Sequence, residues 1–184
     1  MNSNKFVKTV LVGTGTLLIL AGGMTAVIDP FFHYHKPLKQ LEYPLERGKE
    51  RYLNNGIIQN FDYDAAITGT SMMQNFKTSQ FDDLFGTHSV KVTLTGDTYW
   101  AIDEEIRTIF DNKSDIKYIF RCLDYNKIFD DKSDYNYDNV PTYLYDNNIW
   151  NDVQYLFNKD IFIDNTLGVI KYTLHGEKTP SMDE

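Results

Sequence analysis

The longest apolar run of the chain lies near its N-terminus. Thr9 to Ile28 form twenty residues without a charge, preceded by Lys5 and Lys8. A helix of this length matches the hydrocarbon thickness of a bilayer. The lysines favour an N-terminus on the cytoplasmic side, with the body beyond the membrane. We therefore expect a cytoplasmic segment at 1–8 and a single-pass signal anchor at 9–28 in the plasma membrane, with the lipid bilayer as its partner.

Two alternatives remain open for this run. The small residues ending at Ala26 suit a signal peptidase, so the run could be a cleaved signal peptide. It could also be a buried core helix, although few soluble helices are apolar on all sides over this length.

Residues 29–60 are expected to form an extracytoplasmic connector. Its first aromatic residues suit the membrane–water interface; they are Phe31, Phe32 and Tyr34. His33 and His35 alternate and could share a metal in an extended segment, but no third ligand is in view. An interfacial or packing role is the favoured interpretation of both histidines.

Residues 61–126 contain three strand candidates, each followed by turn residues and then a helix candidate; Val90, Val92 and Leu94 alternate in the second strand. Strands are predicted at 65–69, 89–96 and 116–124. Strand, helix, strand, helix, strand at this spacing predicts βαβ units and a parallel sheet. The fold class is therefore α/β, with a three-layer parallel sheet as the core.

Two helices are predicted between these strands. Residues 71–86 form a broken helix with a new N-cap at Thr78 or Ser79 and an end at Gly86. Residues 97–112 form a crossover helix, with the charged residues, Glu105 among them, on its outer faces. Its apolar face comprises Ile102, Ile106, Ile109 and Phe110.

Residues 127–184 form a polar excursion followed by a helical C-terminal segment. Residues 134–139, "DYNYDN", resemble the start of a calcium loop, but Asn139 replaces the usual glycine and Tyr145 the bidentate glutamate. One or two amphipathic helices are expected further on, built on Trp150, Val153, Phe157 and Ile161.

Charge and cysteine content exclude several function classes. The net charge is −8, and residues 61–184 carry eleven Lys and Arg against twenty-two Asp and Glu. Because nucleic-acid binding depends on clustered basic residues, no nucleic-acid partner is expected. The single cysteine, Cys122, excludes an intramolecular disulfide and is expected to be a small buried side chain. No cofactor is indicated.

The predicted strand ends carry a candidate active site. Ser71, Gly96 and Asn126 follow the three strands, and ligands of parallel sheets bind beyond the carboxyl ends of the strands. A serine there can act as a nucleophile, while a Gly96 N–H and the Asn126 amide stabilise an oxyanion. The alternative for Ser71 is a helix N-cap.

Serine, glycine and asparagine in this order resemble the SGNH (GDSL-type) hydrolases over roughly residues 54–126. The "GTS" of 69–71 is similar to the motif of membrane-anchored members of the D-alanine-transfer type, and the preceding anchor resembles surface proteins of Gram-positive bacteria. The resemblance implies an extracytoplasmic acyl-ester hydrolase or acyltransferase that acts on a cell-envelope polymer.

The family takes its histidine from an Asp-x-x-His motif, and none of the four histidines here has an aspartate three residues before it. His88 is expected at the opposite end of the sheet, and His175 has no partner pattern. The sequence thus predicts an incomplete sheet of SGNH or flavodoxin-like type, from a fragment of a longer protein. The alternatives are a non-catalytic membrane-anchored surface protein and, more weakly, a solute-binding module.

Overall fold

Three strands pair in parallel into one sheet, as the order and spacing of strands and helices predict. The computed structural model describes residues 3–45, 48–131, 134, 140–146 and 148–176. The strands are β1 (Ala65–Gly69), β2 (Ser89–Thr93) and β3 (Tyr118–Arg121), in the order β2-β1-β3. Ala65 is aligned with both Ser89 and Tyr118. β1 has the predicted bounds, whereas β2 and β3 are shorter than predicted.

Six α-helices and several shorter turns accompany the sheet in the part of the chain that the structure describes. The α-helices are α1 (Ser3–Ile28), α2 (Glu50–Asn60), α3 (Thr78–Phe85), α4 (Tyr99–Asn112), α5 (Val153–Leu156) and α6 (Leu167–His175). Short 3-10 helices span Ser71–Asn75, Tyr125–Lys127 and Thr142–Leu144, and a π-helix spans Ile161–Thr166.

Helices cover both faces of the sheet. Ala66 is aligned with Val90 and Ile119; Ala66 and Val90 belong to the core cluster that also holds apolar residues of α2 and α4, and Ile119 packs against this cluster. The next residue along β3, Phe120, points to the other face. Its ring lies 4.3 Å from that of Phe81 in α3. Because α3 and α4 cover opposite faces, the chain reverses direction across the sheet between β1 and β3.

Local sequence explains where α3 and α4 begin and end. Gly86 adopts a φ of 63° and ends α3 as predicted, donating its N–H to the Asp82 carbonyl at 2.8 Å. The Thr98 hydroxyl caps α4 by accepting from the Ala101 N–H at 3.3 Å. α3 begins at Thr78 after Lys77, without a side-chain cap, so the predicted cap at Thr78 or Ser79 is wrong.

The buried face of α4 differs from the prediction. Ile102 and Ile109 are fully buried as expected, but Phe110 is 56% exposed and Glu105 only 6% exposed. The reason is that α4 contacts α2 as well as β1, which rotates the covered face toward Glu105.

Helix α2 falls within the region predicted as a connector. Its Asn54 side chain donates to the Thr93 carbonyl at 3.0 Å, at the carboxyl end of β2. At its other end, Asn60 donates to the Phe32 carbonyl at 2.7 Å, just beyond α1. Asn54 and Asn60 are six residues apart, which at ~1.5 Å per residue is about 9 Å. α2 therefore separates the end of α1 from the carboxyl end of the sheet by roughly this length.

The C-terminal part of α1 packs against the protein, whereas the rest of α1 is largely exposed. Its buried residues are Gly22, Thr25 and Ile28. The Phe157 ring lies 2.9 Å from the position of a Cβ on Gly22, and the hydroxyls of Thr25 and Thr166 are 3.2 Å apart. α1 is long and apolar enough to cross a membrane.

Two predictions for the flanking segments are wrong. Phe31 and Phe32 are core residues and do not lie at an exposed interface, because the chain turns back under α2 after α1. Of the four residues predicted to build the C-terminal amphipathic helices, only Ile161 is buried. Short helices that change direction against α1 replace one continuous helix there. Most of the calcium-loop prediction, at 135–139, lies outside the described residues.

Candidate functional site

The loops that follow the three strands meet in one cleft of about 590 Å³, which we call the Ser71 cleft. Strand order and helix placement put it at the position where the chain reverses direction across the sheet, the usual location of ligands in such folds. Ser71, Gly96 and Asn126 all line it. The other lining residues are Thr70, Met72, Leu123, Asp124, Tyr125 and Lys127.

The Ser71 hydroxyl is not used as a helix cap. The N-cap of the 3-10 helix is Thr70, whose hydroxyl oxygen accepts from the Met72 N–H at 3.5 Å and donates to the Asp124 carboxylate. Ser71 is exposed, and within the described part of the chain its hydroxyl has no hydrogen-bond partner. The capping alternative for Ser71 is therefore wrong, and its oxygen is available to a ligand.

Gly69 shapes the turn that presents Ser71. Its φ is 147°, and a Cβ at this position would lie 2.8 Å from the Met73 Cγ and 2.9 Å from the Cys122 Cβ. Its carbonyl accepts from the Leu94 N–H at 2.9 Å. A larger residue would push apart the loops that follow β1 and β3, which form the walls of the cleft.

Gly96 and Asn126 reach the cleft by different means. Gly96 has a φ of 71° with open space where its Cβ would be, so its backbone conformation explains the glycine. Its carbonyl accepts from Lys127 Nζ at 3.1 Å. Asn126 is exposed on a 3-10 helix, and no described residue bonds its side-chain amide. The amide is therefore free to donate to a ligand.

Among the described residues that line the cleft, Asp124 is the only carboxylate. Its side chain accepts from the Thr70 hydroxyl and from Cys122 Sγ at 3.5 Å, while its carbonyl accepts from the Tyr99 hydroxyl at 2.8 Å. Burial, and then Asp124, raise the pKa of the Cys122 thiol, which keeps this half-buried side chain protonated. Asp124 is thus anchored from both its backbone and its side chain.

None of the four histidines lines the Ser71 cleft. His88 precedes β2 at the amino end of the sheet, as expected, and its carbonyl accepts from the Asp64 N–H at 3.0 Å. His33 Nε2 lies 3.3 Å from Asp152, and His35 Nε2 lies 3.1 Å from the Val27 carbonyl oxygen. His175 ends α6. Within the described ranges no three His, Cys, Asp or Glu residues gather as metal ligands.

A buried polar cluster at the end of α1 was not predicted. We call it the Asp29 cluster; it comprises Asp29, His33, Tyr34, Asp152 and Tyr155. The fully buried Asp29 carboxylate accepts from the N–H groups of residues 33, 34 and 35 at 2.7–2.9 Å, and from the Tyr155 hydroxyl at 2.8 Å. The Tyr34 hydroxyl donates to Asp152 at 3.1 Å.

Burial, reinforced by the neighbouring carboxylates, raises the pKa of both Tyr34 and Tyr155, so these phenols stay protonated donors. The Asp29 cluster joins the end of α1 to the C-terminal helices. The sequence offered one signal for it, an aspartate directly after a long apolar helix, but its Tyr155 partner is 126 residues away.

Fold and cleft define this chain as a mixed α/β protein with a three-stranded parallel sheet, one long apolar N-terminal helix and a serine-bearing cleft beyond the strand ends. Comparisons with protein-family models, curated proteins and solved structures give no significant match.

Proposed function

We propose that this protein is a membrane-anchored, extracytoplasmic SGNH-like acyl-ester hydrolase or acyltransferase. The observation that carries the proposal is that the Ser71 hydroxyl, which has no hydrogen-bond partner among the described residues, lines the same cleft as Gly96 and the free amide of Asn126. These are the residue types that a serine acyl transfer requires at the carboxyl ends of parallel strands.

In the proposed reaction, Ser71 Oγ attacks the ester carbonyl and loses its proton to a base. The Asn126 amide and the Gly96 N–H then stabilise the negative oxygen of the tetrahedral intermediate. Asp124 is the candidate base because, in the part of the chain that the structure describes, no other carboxylate lines the cleft. Collapse of the intermediate breaks the ester C–O bond, the leaving alkoxide takes the proton, and the acyl group remains on Ser71.

The walls of the cleft suit an acyl group. Met72, Leu123 and Tyr125 line it and are 57%, 70% and 82% exposed. Exposed apolar side chains at a cleft mark a surface that gains from contact with an apolar ligand. The acyl part of the substrate would lie against these three residues while its carbonyl points to Ser71.

The position of the cleft supports a polymer substrate over a membrane lipid. Along α2, the contact of Asn54 with the carboxyl end of β2 lies about 9 Å from the contact of Asn60 with the residues that follow α1. If α1 is the anchor, the Ser71 cleft faces away from the bilayer, toward the cell envelope.

Packing of α1 supports a retained anchor over a cleaved signal peptide. Cleavage after Ala26 would remove Gly22 and Thr25, which contact Phe157 and Thr166. The C-terminal helices would then expose the surface that these residues cover. The proposed topology has residues 1–8 in the cytoplasm and the body outside.

Labelling with a serine-reactive fluorophosphonate tests the proposal. The full chain in detergent should form a covalent adduct that is lost in Ser71→Ala and in heat-denatured protein. Ser79→Ala, which changes another exposed serine at the start of α3, should label like the wild type. Equal labelling of wild type and Ser71→Ala would overturn the proposed nucleophile, and slow labelling in Asp124→Asn would support the base.

The second candidate function is a non-catalytic, membrane-anchored surface protein that keeps the fold for binding or assembly. The observation that favours it is that no histidine lines the Ser71 cleft, because a serine without an imidazole base loses most of its rate advantage. Under this proposal neither wild type nor Ser71→Ala forms an adduct. Replacing Ser71 then leaves surface assembly unchanged, whereas deleting the α/β domain abolishes it.

A further inference from the structure

We propose that residues 148–176, here called the C-terminal segment, contact the outer leaflet beside α1, with the part from Phe157 to Thr166 in the headgroup–acyl boundary. The segment would form a second contact between the protein and the membrane. This inference rests on the proposal that α1 spans the bilayer, and it adds a lipid-binding surface that α1 alone does not provide.

Contacts with α1 fix how far this segment descends along the helix. Asp152 is bonded to His33 and Tyr34, which lie beyond the end of α1. Phe157 packs on Gly22, six residues before the last residue of α1. Six residues at ~1.5 Å each make about 9 Å. The segment therefore runs about 9 Å along α1 toward the membrane, close to the ~5–10 Å depth of interfacial segments.

The segment then returns toward the body of the protein. The Thr166 hydroxyl lies 3.2 Å from that of Thr25, and the Thr173 hydroxyl accepts from the Glu42 N–H at 2.9 Å. The segment thus contacts α1 both where it runs toward the membrane, at Phe157, and where it returns, at Thr166. Only the part between Phe157 and Thr166 lies at the level of the last two turns of α1.

The length of the uncharged run places those turns inside the bilayer. A hydrocarbon core of about 30 Å needs ~20 residues of helix, and the uncharged run from Thr9 to Ile28 has twenty. Residues 9–21 alone would cover only about 20 Å. The last turns of α1, with Gly22 and Thr25, must therefore contribute to the crossing. Phe157 and Thr166, which contact them, are brought to the membrane boundary.

The surface chemistry of the segment matches this position. It exposes seven large apolar side chains, namely Ile149, Trp150, Val153, Phe157, Ile163, Leu167 and Leu174. Residues 148–176 carry two Lys against three Asp, whereas residues 61–147 carry eight Lys and Arg against sixteen Asp and Glu. A nearly neutral segment rich in exposed apolar and aromatic residues suits the membrane interface, and the acidic domain lacks this composition.

The chain carries two tryptophans, which provide a probe and its matched control. Trp150 lies in the C-terminal segment and is 82% exposed, whereas Trp100 lies in the first turn of α4. Trp100→Phe leaves Trp150 as the only reporter, and Trp150→Phe leaves Trp100. Both variants of the full chain are reconstituted into phosphatidylcholine vesicles whose acyl chains are brominated near the headgroups.

We expect the strongest quenching by brominated lipid in Ile163→Trp, in a chain with both tryptophans replaced by Phe, because position 163 lies between Phe157 and Thr166. Trp150, nearer the end of α1, should be quenched less strongly, and the emission of Trp100 should stay nearly unchanged. An alkaline carbonate wash removes proteins that do not span the membrane, so retention of each variant on the vesicles tests separately whether α1 crosses the bilayer.

Three results would overturn the inference. If the chain stays on the vesicles but neither Trp150 nor a tryptophan at position 163 is quenched, the segment lies outside the bilayer while α1 remains an anchor. If these tryptophans are shielded from aqueous acrylamide yet not quenched by lipid, a protein surface or a second copy covers them. Loss of the chain in the wash would overturn the anchor and the lipid contact together.

Discussion

Replacing the Asp29 carboxylate by an amide should strongly destabilise the junction between α1 and the body. In Asp29→Asn the shape of the side chain is kept, and Asn tolerates the left-handed backbone of residue 29, whose φ is 49°. The amide nitrogen, however, is a donor. In either orientation it faces two of the four groups that donate to Asp29.

The magnitude follows from these bonds. A hydrogen bond to a charged group contributes about 1.5–3 kcal/mol, so losing two costs roughly 3–6 kcal/mol. Removing a buried charge offsets part of this cost. We therefore expect a net loss of about 2–4 kcal/mol in the free energy of unfolding. For a chain of this size, ~2–4 °C per kcal/mol gives a fall in Tm of roughly 5–15 °C.

Thermal unfolding of the full chain in detergent, followed by near-ultraviolet circular dichroism, measures this effect. Asp62→Asn is the control, because Asp62 pairs with Lys36 at an exposed surface and should leave the Tm unchanged. A Tm for Asp29→Asn within about 2 °C of wild type would refute the proposed role of the carboxylate.

Two further substitutions test the core. Burial raises the pKa of Glu105 to about 7 from an ordinary 4.5. The folded state thus keeps a proton that the unfolded chain releases, and wild-type stability falls as the pH rises between these values. The free energy of unfolding of Glu105→Gln, measured with urea relative to wild type, should therefore rise by up to a few kcal/mol from about pH 5 to about pH 8. For the exposed Glu104→Gln the difference from wild type should be the same at the two pH values. The same constancy in Glu105→Gln would contradict the prediction. Gly56→Ala places a Cβ 2.3 Å from the Phe31 carbonyl oxygen and should cost about 1–3 kcal/mol in thermal unfolding, whereas Gly23→Ala meets nothing within 4 Å. Equal Tm values for the two alanine variants would contradict that packing.

The sheet could be predicted because its signals are local. Gly69 ends β1 and Gly96 follows β2, apolar residues alternate in β2, and β-branched and aromatic residues mark β3. The structure confirms three parallel strands. Helix α2 escaped prediction because its Asn and Gly residues have low helix propensity. Contacts to Thr93, Leu144 and Phe31, which are distant in sequence, explain these residues.

Part of the candidate site could likewise be predicted from the sequence, and part of it depends on the three-dimensional structure. Parallel topology explains why Ser71, Gly96 and Asn126 reach one cleft. The choice of cap between Thr70 and Ser71 depends on one backbone conformation, and two adjacent hydroxyl residues give no sequence signal for it. The charge pattern of the crossover helix predicted that Glu105 lies on an exposed face, but α2 packs against α4 there and buries its side chain.

The C-terminal part of α1 and the helices that pack against it are synthesised at different times. The Thr25–Thr166 and Asp29–Tyr155 pairs join residues 141 and 126 positions apart. During synthesis α1 emerges first and its partners at residues 155 and 166 emerge later, while the sheet closes within residues 65–121. A nascent chain halted before Tyr155 would therefore carry a paired sheet on a helix that these contacts do not yet hold. If α1 is a membrane anchor, as proposed, synthesis of the C-terminal helices would fix the orientation of the domain relative to that anchor.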